Sequence, residues 1–567
     1  MSGRKDQADR SKRKATGVFY TPAPIVEYIL EHTLEKLDIL ANPTPGILDP
    51  ACGSGNFLVA AYDMLLNKFS ENLSELQVRY ADQYYRMQTD LGEYALKGSA
   101  YWCRENLHYH ILRHCLYGAD LDAGAVSIAR ERLWEKGEMQ EPVATNLVIC
   151  DSLIKWEKIP EESDGRNDSN GIKLAEFWNR KYDCVIGNPP YVSFGLNRVG
   201  KVPAAQSDYL RVNYPQSAQY KLSYYALFFE RGISALKPGG YLGFITPDSY
   251  LLGRYYSKVR AFILDSCRIC ELALMSDPVF HGVVVGIPAI AILQKKSGVS
   301  ASAAGVVAVK KINKAEGLLA VYQYPQDYFS RQVYSRFRLF FNEKDKEIID
   351  KLDQTSCQFG DIAKIRTGMR SLTVQADIKS KSKQSDTWHA GLTSSAQVLP
   401  FTLSYQGDWL DVNPAKLNKG GWDKEVMAGR KILLRQTGDR LVAAVDQAGY
   451  YHLNNIHSLT VCTTEFSLEY LVAILNSRLM NFYYQTVTLE KGRSLAQVDI
   501  EMVEKLPLMI DWRKAQAVTA LARQLAELGG YESTEEGRRL FHQLNKEVYA
   551  IYGLAADDVL YIEQRML

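Results

Sequence analysis

Short apolar runs alternate with stretches of helical periodicity along the first half of the chain. The runs have the length of buried strands, and apolar residues recur at helical spacing between them. The runs lie at residues 46–48, 116–119, 147–150, 182–186 and 241–245, and helices are expected at 125–133 and 224–236. Strands that alternate with helices predict an α/β protein with a doubly wound, mainly parallel sheet.

Several segments depart from this alternation. Residues 62–110 are polar and aromatic with helical spacing, so we expect an inserted helical segment there. Residues 192–220 have the composition of a loop, and 297–304 are small residues typical of a linker. Residues 305–510 combine short strands with loops, and 512–550 have helical periodicity. We therefore expect a second domain of mixed α+β class that ends in helices.

The composition is that of a globular protein with more than one domain. A chain of 567 residues is longer than one hydrophobic core usually serves. We expect a disordered basic tail at 1–15, one domain at 16–300 and another at 301–567. The chain has 67 basic and 65 acidic residues, a net charge of +2. Any nucleic-acid site must therefore be a local basic patch.

The sequence predicts a cytoplasmic protein. No run approaches the roughly 18 apolar residues that span a bilayer, and the N-terminal segment is basic and polar rather than apolar. Nine scattered cysteines suit a reducing cytosol. Cys267 and Cys270 form one CxxC pair, but a zinc site would need a second pair at matching spacing, so we expect no metal.

A tetrapeptide after the apolar run 182–186 is the most specific chemical feature of the chain. Two consecutive prolines fix φ and remove two backbone donors, so that stretch of backbone can only accept hydrogen bonds. An Asn amide precedes them and a Tyr ring follows, which suits a planar group that carries an NH2. The alternative is a proline-rich turn with the ring packed in the core. The residues are Asn188, Pro189, Pro190 and Tyr191.

A glycine-containing turn at residues 49–55 follows a predicted strand and opens a helix. Glycine lets a ligand approach the backbone, and the helix N-terminus offers unpaired N–H groups. Leu58 stands where the dinucleotide pattern needs its third Gly, and no Gly-Lys-Ser/Thr follows, so neither a dinucleotide nor a triphosphate is expected. Asp49 at the strand end suits a ligand with an ammonium or sulfonium centre.

Two more acids end the next strands. Asp120 occupies a position at which an acid typically binds ribose hydroxyls, and the position of Asp151 suits the amino group of an adenine. An isolated Asp in a loop is usually only solvated. Three acids and a Gly turn at successive strand ends instead outline a nucleoside with a charged amino-acid arm, S-adenosylmethionine.

In these motifs and their order, the chain resembles gamma-class DNA adenine-N6 methyltransferases of the TaqI type. An aromatic-Thr-Pro element comes first, then the Gly turn, the acids and Asn-Pro-Pro-Tyr, with target recognition last. The similarity covers about residues 16–296, and continues more weakly through 431–438 and 471–477. It implies a Rossmann-like methyltransferase domain and a target-recognition domain, from a restriction–modification or a solitary modification system. The insertion at 62–110 departs from the pattern, and structural support is its expected role.

The resemblance also implies roles for single residues. Asn188 and Pro189 would hydrogen-bond N6 of an adenine flipped out of double-stranded DNA, and Tyr191 and Phe280 would stack on that base. Residues implied to bind the cofactor are Phe19, Tyr20, Thr21, Pro22, Asp49, Ala51, Cys52, Gly53, Gly55, Asp120, Leu121, Asp151, Ser152 and Asn188.

The second domain is expected to read the DNA sequence through polar, basic loops. Arg can bind guanine bidentately and Gln can bind adenine, although any single Arg or Lys more often contacts a phosphate or water. The candidates are Arg366, Arg370, Arg435, Gln436, Lys491 and Arg493. A cognate restriction endonuclease is a further candidate partner, and a monomer associated with the prokaryotic nucleoid through DNA is favoured.

Three other interpretations stay open. Asn-Pro-Pro-Tyr also serves enzymes that methylate a protein glutamine amide or an exocyclic amine of RNA. The chain could instead be a non-catalytic DNA-specificity protein with a relic fold, or carry a fused nuclease. The large C-terminal part and the N-terminal aromatic-Thr-Pro element favour DNA, and the intact motifs argue against decay. About fifteen residues precede the first motif, too few for a nuclease domain.

Overall fold

The computed structural model divides into two compact units, residues 1–341 and 342–567. It describes residues 21–89, 92–137, 143–159, 167–168, 172–192, 202–220, 222–276, 287–298, 305–313, 317–355, 357–418, 429–463, 465–493, 496–529, 531–532 and 534–566. The expected tail at 1–15 lies outside these residues. No helix within the described ranges is both long and apolar enough to cross a membrane.

The first unit contains a nine-stranded sheet and a separate hairpin. The strands are β1 (Ile47–Asp49), β2 (Tyr84–Thr89), β3 (Gly92–Lys97), β4 (Leu116–Asp120), β5 (Asn146–Ile149), β6 (Tyr182–Gly187), β7 (Leu236–Pro247), β8 (Cys267–Met275), β9 (Pro288–Lys295), β10 (Val306–Asn313) and β11 (Gly317–Pro325). The helices are α1 (Ala23–His32), α2 (Asn56–Glu71), α3 (Leu73–Arg79), α4 (Gly98–Tyr101), α5 (Arg104–His110), α6 (Ala123–Trp134), α7 (Leu174–Asn179), α8 (Ala204–Asn213), α9 (Tyr224–Ala235), α10 (Ser249–Leu252), α11 (Ser257–Ser266) and α12 (Asp327–Ser330).

The large sheet confirms the predicted doubly wound, mainly parallel α/β fold. Its strand order is β11-β10-β8-β9-β7-β6-β1-β4-β5, and only β9 and β11 run against the others. The central strands β1, β4 and β6 are almost wholly buried. A parallel strand covered on both faces reads as a continuous apolar run, which is why the sequence pattern found these strands.

The insertion at 62–110 is only partly helical, which corrects the expectation. Its first ten residues continue α2, and the apolar positions at helical spacing, such as Leu65 and Leu76, are buried on α2 and α3. The strands β2 and β3 then form an antiparallel hairpin. A five-residue π-helical turn, Ile111–Cys115, follows α5 and leads into β4.

Two other expectations about the first unit also need correction. The helix α8 occupies ten residues of the 192–220 segment that was expected to be a loop. The division between the units follows Phe341 rather than residue 300. The physical reason is that β10 pairs in parallel with β8, and β11 pairs with β10, so both strands extend the first sheet.

The second unit combines small sheets with helices, as the predicted α+β class requires. Its strands are β12 (Cys357–Gln358), β13 (Ala363–Thr367), β14 (Lys379–Ser380), β15 (Trp388–Leu392), β16 (Val398–Leu399), β17 (Thr402–Leu403), β18 (Trp409–Asp411), β19 (Lys431–Arg435), β20 (Ala443–Asp446), β21 (Tyr451–His452), β22 (Ile456–Val461) and β23 (Pro507–Leu508). Its helices are α13 (Glu343–Asp353), α14 (Phe359–Ile362), α15 (Leu468–Asn476), α16 (Arg478–Thr488), α17 (Ile500–Glu504), α18 (Trp512–Glu527), α19 (Glu535–Ile551) and α20 (Ala556–Met566).

The main sheet of the second unit is antiparallel, in the order β13-β22-β19-β20. It contains a fully buried ion pair, in which Lys431 Nζ lies 2.6 Å from Asp446 Oδ2 and both side chains are 0% exposed. The other carboxylate oxygen, Oδ1, accepts hydrogen bonds from the backbone N–H groups of Ala448 and Gly449. Because the carboxylate is buried, its negative charge is compensated by the Lys431 ammonium rather than by water.

Replacing Lys431 by Met should strongly destabilise the second unit, because Asp446 then becomes an uncompensated buried charge. We expect its free energy of unfolding to fall by about 3–5 kcal/mol, as for other broken buried pairs. The double variant Lys431→Met/Asp446→Asn removes the charge but keeps an acceptor for Ala448 and Gly449, and should recover much of the loss. Differential scanning calorimetry of the variants measures these changes in stability. Lys383→Met, which breaks an exposed pair with Asp386, should change little, and an equal effect of both single variants would contradict the prediction.

Candidate active site

The predicted site residues meet at one edge of the large sheet. The strand β1 pairs in parallel with β4 and with β6, and β4 pairs in parallel with β5. The carboxyl ends of parallel strands lie at the same edge. Asp49 ends β1, Asp120 ends β4, Asp151 follows β5 and Asn188 follows β6, so all four stand along this edge.

The Gly turn forms a tight connection from β1 to α2. Gly55 precedes the helix with φ of 83°, in the left-handed region, and a Cβ there would lie 2.9 Å from the Ala129 Cβ. Gly is therefore required at this position. The Cys52 N–H donates to the Ala119 carbonyl at 3.0 Å, which fastens the turn to β4. Gly53 has φ of +50° and nothing within 4 Å of its Cβ position, so its surface is open to a ligand.

Asp49 is a buried carboxyl at the floor of this turn. Its side chain is 1% exposed, and Oδ1 accepts a hydrogen bond from the Ala51 N–H at 3.0 Å. Desolvation, opposed by the Ala51 hydrogen bond and assisted by the neighbouring charge of Asp120, raises the pKa of Asp49 to about 8. A positively charged ligand would favour the ionised form and reverse this effect.

Close packing of the β6 end holds Asp49 in place. A Cβ on Gly187, at φ of +150°, would lie 2.7 Å from Asp49 Oδ1. Gly187 directly precedes Asn188, so the approach of the two strand ends fixes both the carboxyl group and the start of the Asn-Pro-Pro-Tyr segment. The sequence analysis missed Gly187 because the run before the tetrapeptide reads only as a buried strand.

Asp120 and its neighbour Leu121 present both polar and apolar surface. Asp120 Oδ2 accepts from the Gly53 N–H at 2.8 Å, and Oδ1 accepts from the Asp122 N–H at 2.9 Å. Each carboxylate oxygen can accept more than one hydrogen bond, so capacity for ligand hydroxyls remains. Burial raises the pKa of Asp120. The Leu121 side chain is 73% exposed beside it, which suits packing against an aromatic ring.

The loop after β5 is braced from inside the protein. Asp151 Oδ1 accepts from the Leu153 N–H at 2.9 Å, and the buried Ser152 hydroxyl donates to the Pro50 carbonyl at 2.6 Å. The Ser152 hydroxyl therefore connects this loop with the Gly turn. Arg231 on α9 donates to the Ser152 carbonyl at 2.8 Å and pairs with Glu157 at 2.6 Å. Sequence reasoning missed Arg231, because a contact across 79 positions leaves no local pattern.

Asn188 is oriented by the first described residue of the chain. Its Nδ2 donates to the Thr21 Oγ1 at 2.9 Å. The amide nitrogen is therefore directed toward Thr21, and Oδ1 lies at the opposite side of the amide group. Thr21 is 3% exposed. The N-cap position of α1 is occupied by Pro22, and no side chain caps the helix. The residues Phe19 and Tyr20 before it lie outside the described part of the chain.

The rest of the tetrapeptide is anchored in the core. Pro189 is buried and Pro190 is half-buried. Tyr191 is 7% exposed, and its hydroxyl donates to the Ile245 carbonyl at 3.4 Å. Little of the residue is therefore open to a ligand. The proposed second stacking residue, Phe280, lies outside the described residues.

The second unit brings its three candidate DNA loops to one end of its main sheet. The loop after β19 connects with the β21–β22 turn through the Gln436 N–H and the Asn455 carbonyl, 3.0 Å apart. It connects with the 489–498 segment through two bonds, from Gly438 N–H to the Ala496 carbonyl at 2.9 Å and from Val498 N–H to the Gln436 carbonyl at 2.7 Å. The loop after β13 joins them, because Gln375 Nε2 donates to Asn454 Oδ1 at 2.7 Å.

The six candidate side chains at this end differ in availability. Arg366 and Arg370 are exposed, and Gln436 is half-buried. The others donate to backbone carbonyls within the protein: Arg435 to Val398 at 2.6 Å, Lys491 to Arg565 at 3.0 Å and Arg493 to Leu489 at 3.0 Å. Burial lowers the pKa of Arg493 to about 10. Lys491 is exposed as well, but its ammonium is bonded to a carbonyl, so Arg366 and Arg370 are better placed for a ligand than these three.

Two family models match the chain. Residues 114–280 match the Eco57I restriction-modification methylase, and residues 394–508 match the TaqI-like C-terminal specificity domain. These matches confirm the resemblance to DNA methyltransferases of restriction–modification systems. The second match covers the loops after β19 and β21 together with the 489–498 segment.

Curated relatives share the similarity over part of their length. The chain is 26% identical over 280 residues to the type II restriction enzyme and methyltransferase RM.Eco57I of Escherichia coli, covering 45% of this chain and 25% of that protein. It is 31% identical over 162 residues to the type II methyltransferase M.PaeR7I of Pseudomonas aeruginosa, covering 28% and 27%. The chain thus matches about a quarter of the length of these relatives.

The fold also resembles that of a solved restriction–modification enzyme. The type IIL enzyme MmeI, in complex with DNA, aligns with a TM-score of 0.61 at 13% identity, over 98% of this chain and 80% of that one. At this level of identity the likeness concerns the fold of the chain.

Substituting Ala for Gly187 should disturb the site through a single steric contact, because the new Cβ would meet Asp49 Oδ1. We expect a loss of about 1–3 kcal/mol in the free energy of unfolding, typical of overpacking. The matched control is Gly92→Ala, at φ of +113° with nothing within 4 Å, which carries backbone strain without the clash. Thermal unfolding of both variants separates the two effects. Equal losses would show that the contact with Asp49 has no consequence.

Proposed function

We propose that this protein transfers a methyl group from S-adenosylmethionine to N6 of an adenine flipped out of double-stranded DNA at a specific sequence. One observation carries the proposal: the Asn188 amide, held by Thr21, stands at the same sheet edge as the Gly turn and the three acids. This edge combines acceptors for an amino group with a site for a nucleoside. The Asn-Pro-Pro-Tyr segment is the feature that the sequence resemblance links to adenine N6.

The chemical role of Asn188 and Pro189 is to accept the two hydrogens of the substrate amino group. The lone pair of an aryl amine is delocalised into the ring, which makes it a weak nucleophile. Two fixed acceptors draw the nitrogen toward tetrahedral geometry, and their dipoles stabilise the positive charge that develops on it. The bond to Thr21 keeps Nδ2 away from the substrate, so the side chain presents its oxygen. N6 passes one proton to solvent once the methyl group is attached, so no general base is required for the attack itself.

The donor set fits S-adenosylmethionine by its chemistry. When bound, this cofactor supplies a methyl group attached to a sulfonium, whose sulfur is a good leaving group. Asp49 supplies a buried carboxyl for a cationic centre, Asp120 supplies acceptors for ribose hydroxyls and the exposed Leu121 supplies apolar surface. Asp151, half-buried at the next strand end, is our candidate for the adenine amino group of the cofactor. The low-dielectric position of Asp49 strengthens its attraction for a positive charge.

The match to a specificity domain favours DNA over a glutamine amide or an RNA amine as substrate. Several exposed basic side chains stand near the loops that we assign to DNA reading, including Arg366 and Arg370. The name of RM.Eco57I couples a methyltransferase to a restriction enzyme. We extend this to a cognate endonuclease for the present chain. Sequencing of DNA from an expressing host for N6-methyladenine tests the substrate and identifies the site.

Replacing Asn188 by Ala should abolish methyl transfer while cofactor binding persists, because the amide acts on the substrate amino group. We expect kcat to fall at least about a hundredfold, as when one stabilising dipole of an active site is removed. Thr21→Val, which removes only the partner of Nδ2, should give a smaller loss. Transfer of labelled methyl groups to DNA measures kcat, and isothermal titration measures cofactor binding. Equal loss of both quantities in Asn188→Ala would contradict the assigned role.

Cofactor binding should strengthen with pH below about 8, because Asp49 must lose its proton to meet a positive centre and its pKa is raised to about 8. The Kd of the wild-type protein, relative to that of Asp49→Asn, should fall up to about tenfold per pH unit between pH 6 and 8 and level off above. The ratio cancels titration of the cofactor's own amino group. A ratio that stays constant with pH would overturn this role of Asp49.

A further inference from the structure

The loop at residues 369–377 holds two apolar side chains in solvent. Leu372 is 58% exposed and Val374 is 60% exposed, whereas Ser371 between β13 and Leu372 is only 6% exposed. Single exposed apolar residues are common on protein surfaces. Two of them on one short, structured loop beside basic side chains are less easily explained by chance.

Hydrogen bonds fix the backbone of the 369–377 loop. The Met369 N–H donates to the His452 carbonyl at 2.9 Å, and the Leu372 N–H donates to the Lys416 carbonyl at 2.9 Å. Within the loop, the Ser371 N–H donates to Gln375 Oε1 at 2.7 Å. The exposed side chains are therefore displayed by a braced loop, so their immobilisation on binding would cost little entropy beyond the side chains themselves.

The charge around the loop favours nucleic acid as the partner. Residues 366–377 contain two exposed basic residues, Arg366 and Arg370, and one acid, Asp377, which accepts a hydrogen bond from the Thr373 hydroxyl within the loop. The loop also bonds to the β21–β22 turn, through Gln375 and Asn454, so it belongs to the end of the sheet that carries Gln436. Phosphates attract arginines flanking an apolar tip, whereas an apolar protein surface gives them no counter-charge.

We propose that Leu372 and Val374 form a wedge that inserts between adjacent base pairs of double-stranded DNA, with Arg366 and Arg370 on the flanking phosphates. Minor-groove proteins use apolar side chains in this way to unstack a base step and bend the duplex. The energy of unstacking depends on the base step, so the wedge contributes to sequence recognition without a hydrogen bond to a base. This inference rests on the proposed DNA substrate and adds a second point of deformation, apart from the flipped adenine.

The test compares Leu372→Ala/Val374→Ala with the matched control Leu560→Ala, which truncates a side chain 59% exposed on α20 of the same unit. Full-length proteins are titrated against a duplex with the methylated sequence and one without it. The double variant should lose about tenfold in affinity for the first duplex only, with the salt dependence unchanged, because the apolar contacts between the wedge and the bases are lost while no phosphate contact is removed. The control should match the wild type.

Scanning 2-aminopurine along the site locates the deformation. The wild type should increase fluorescence at the target adenine and at a second step, and the double variant should lose only the second signal. Unchanged affinity of the double variant, equal loss on both duplexes, or a single signal at the target would each overturn the wedge. Wild-type protein that methylates but shows no second signal contradicts the wedge alone. Wild-type protein that neither binds nor methylates DNA contradicts both the wedge and the proposed function.

Discussion

The parallel pairing of β1 with β4 and β6 is the constraint on which the site depends. Leu48 stands opposite Tyr117 on one side and Val185 on the other, so the three strands end nearly level. Successive side chains of a strand alternate between the two faces of the sheet, and a register shift of one residue would move Asp49 to the other face. Register in the core, rather than any loop preference, therefore sets which polar groups meet at the edge.

Each unit buries a carboxyl group, and the two are compensated in contrasting ways. In the second unit, Lys431 and Asp446 neutralise each other inside the protein, so this pair is complete without a ligand. In the first unit, the nearest described carboxylate to influence Asp49 is Asp120, and its charge raises the pKa of Asp49 instead of lowering it. Burying an isolated carboxylate such as Asp49 is costly, but a bound cation would compensate its charge.

The sequence predicted the strands and the strand-end residues because both depend on local pattern. Buried parallel strands are continuous apolar runs, and motif residues directly follow them. The hairpin β2–β3 escaped prediction because most of β3 is exposed, so no apolar period of two marks it. The position of β10 and β11 depends on pairing with a distant strand, and the small residues before them suggested a linker. Arg231 braces a loop 79 positions away, which no window of sequence contains.

The loops after β19 and β21 and the 489–498 segment of the second unit are joined mainly by backbone groups. Gln436 with Asn455, Gly438 with Ala496 and Val498 with Gln436 all bond through N–H and carbonyl. Such bonds do not depend on which side chain a residue carries, proline excepted. Side chains in these loops can therefore be exchanged while the frame persists. Under the function proposed for these loops, a new recognition sequence would therefore need only point substitutions and not a new fold.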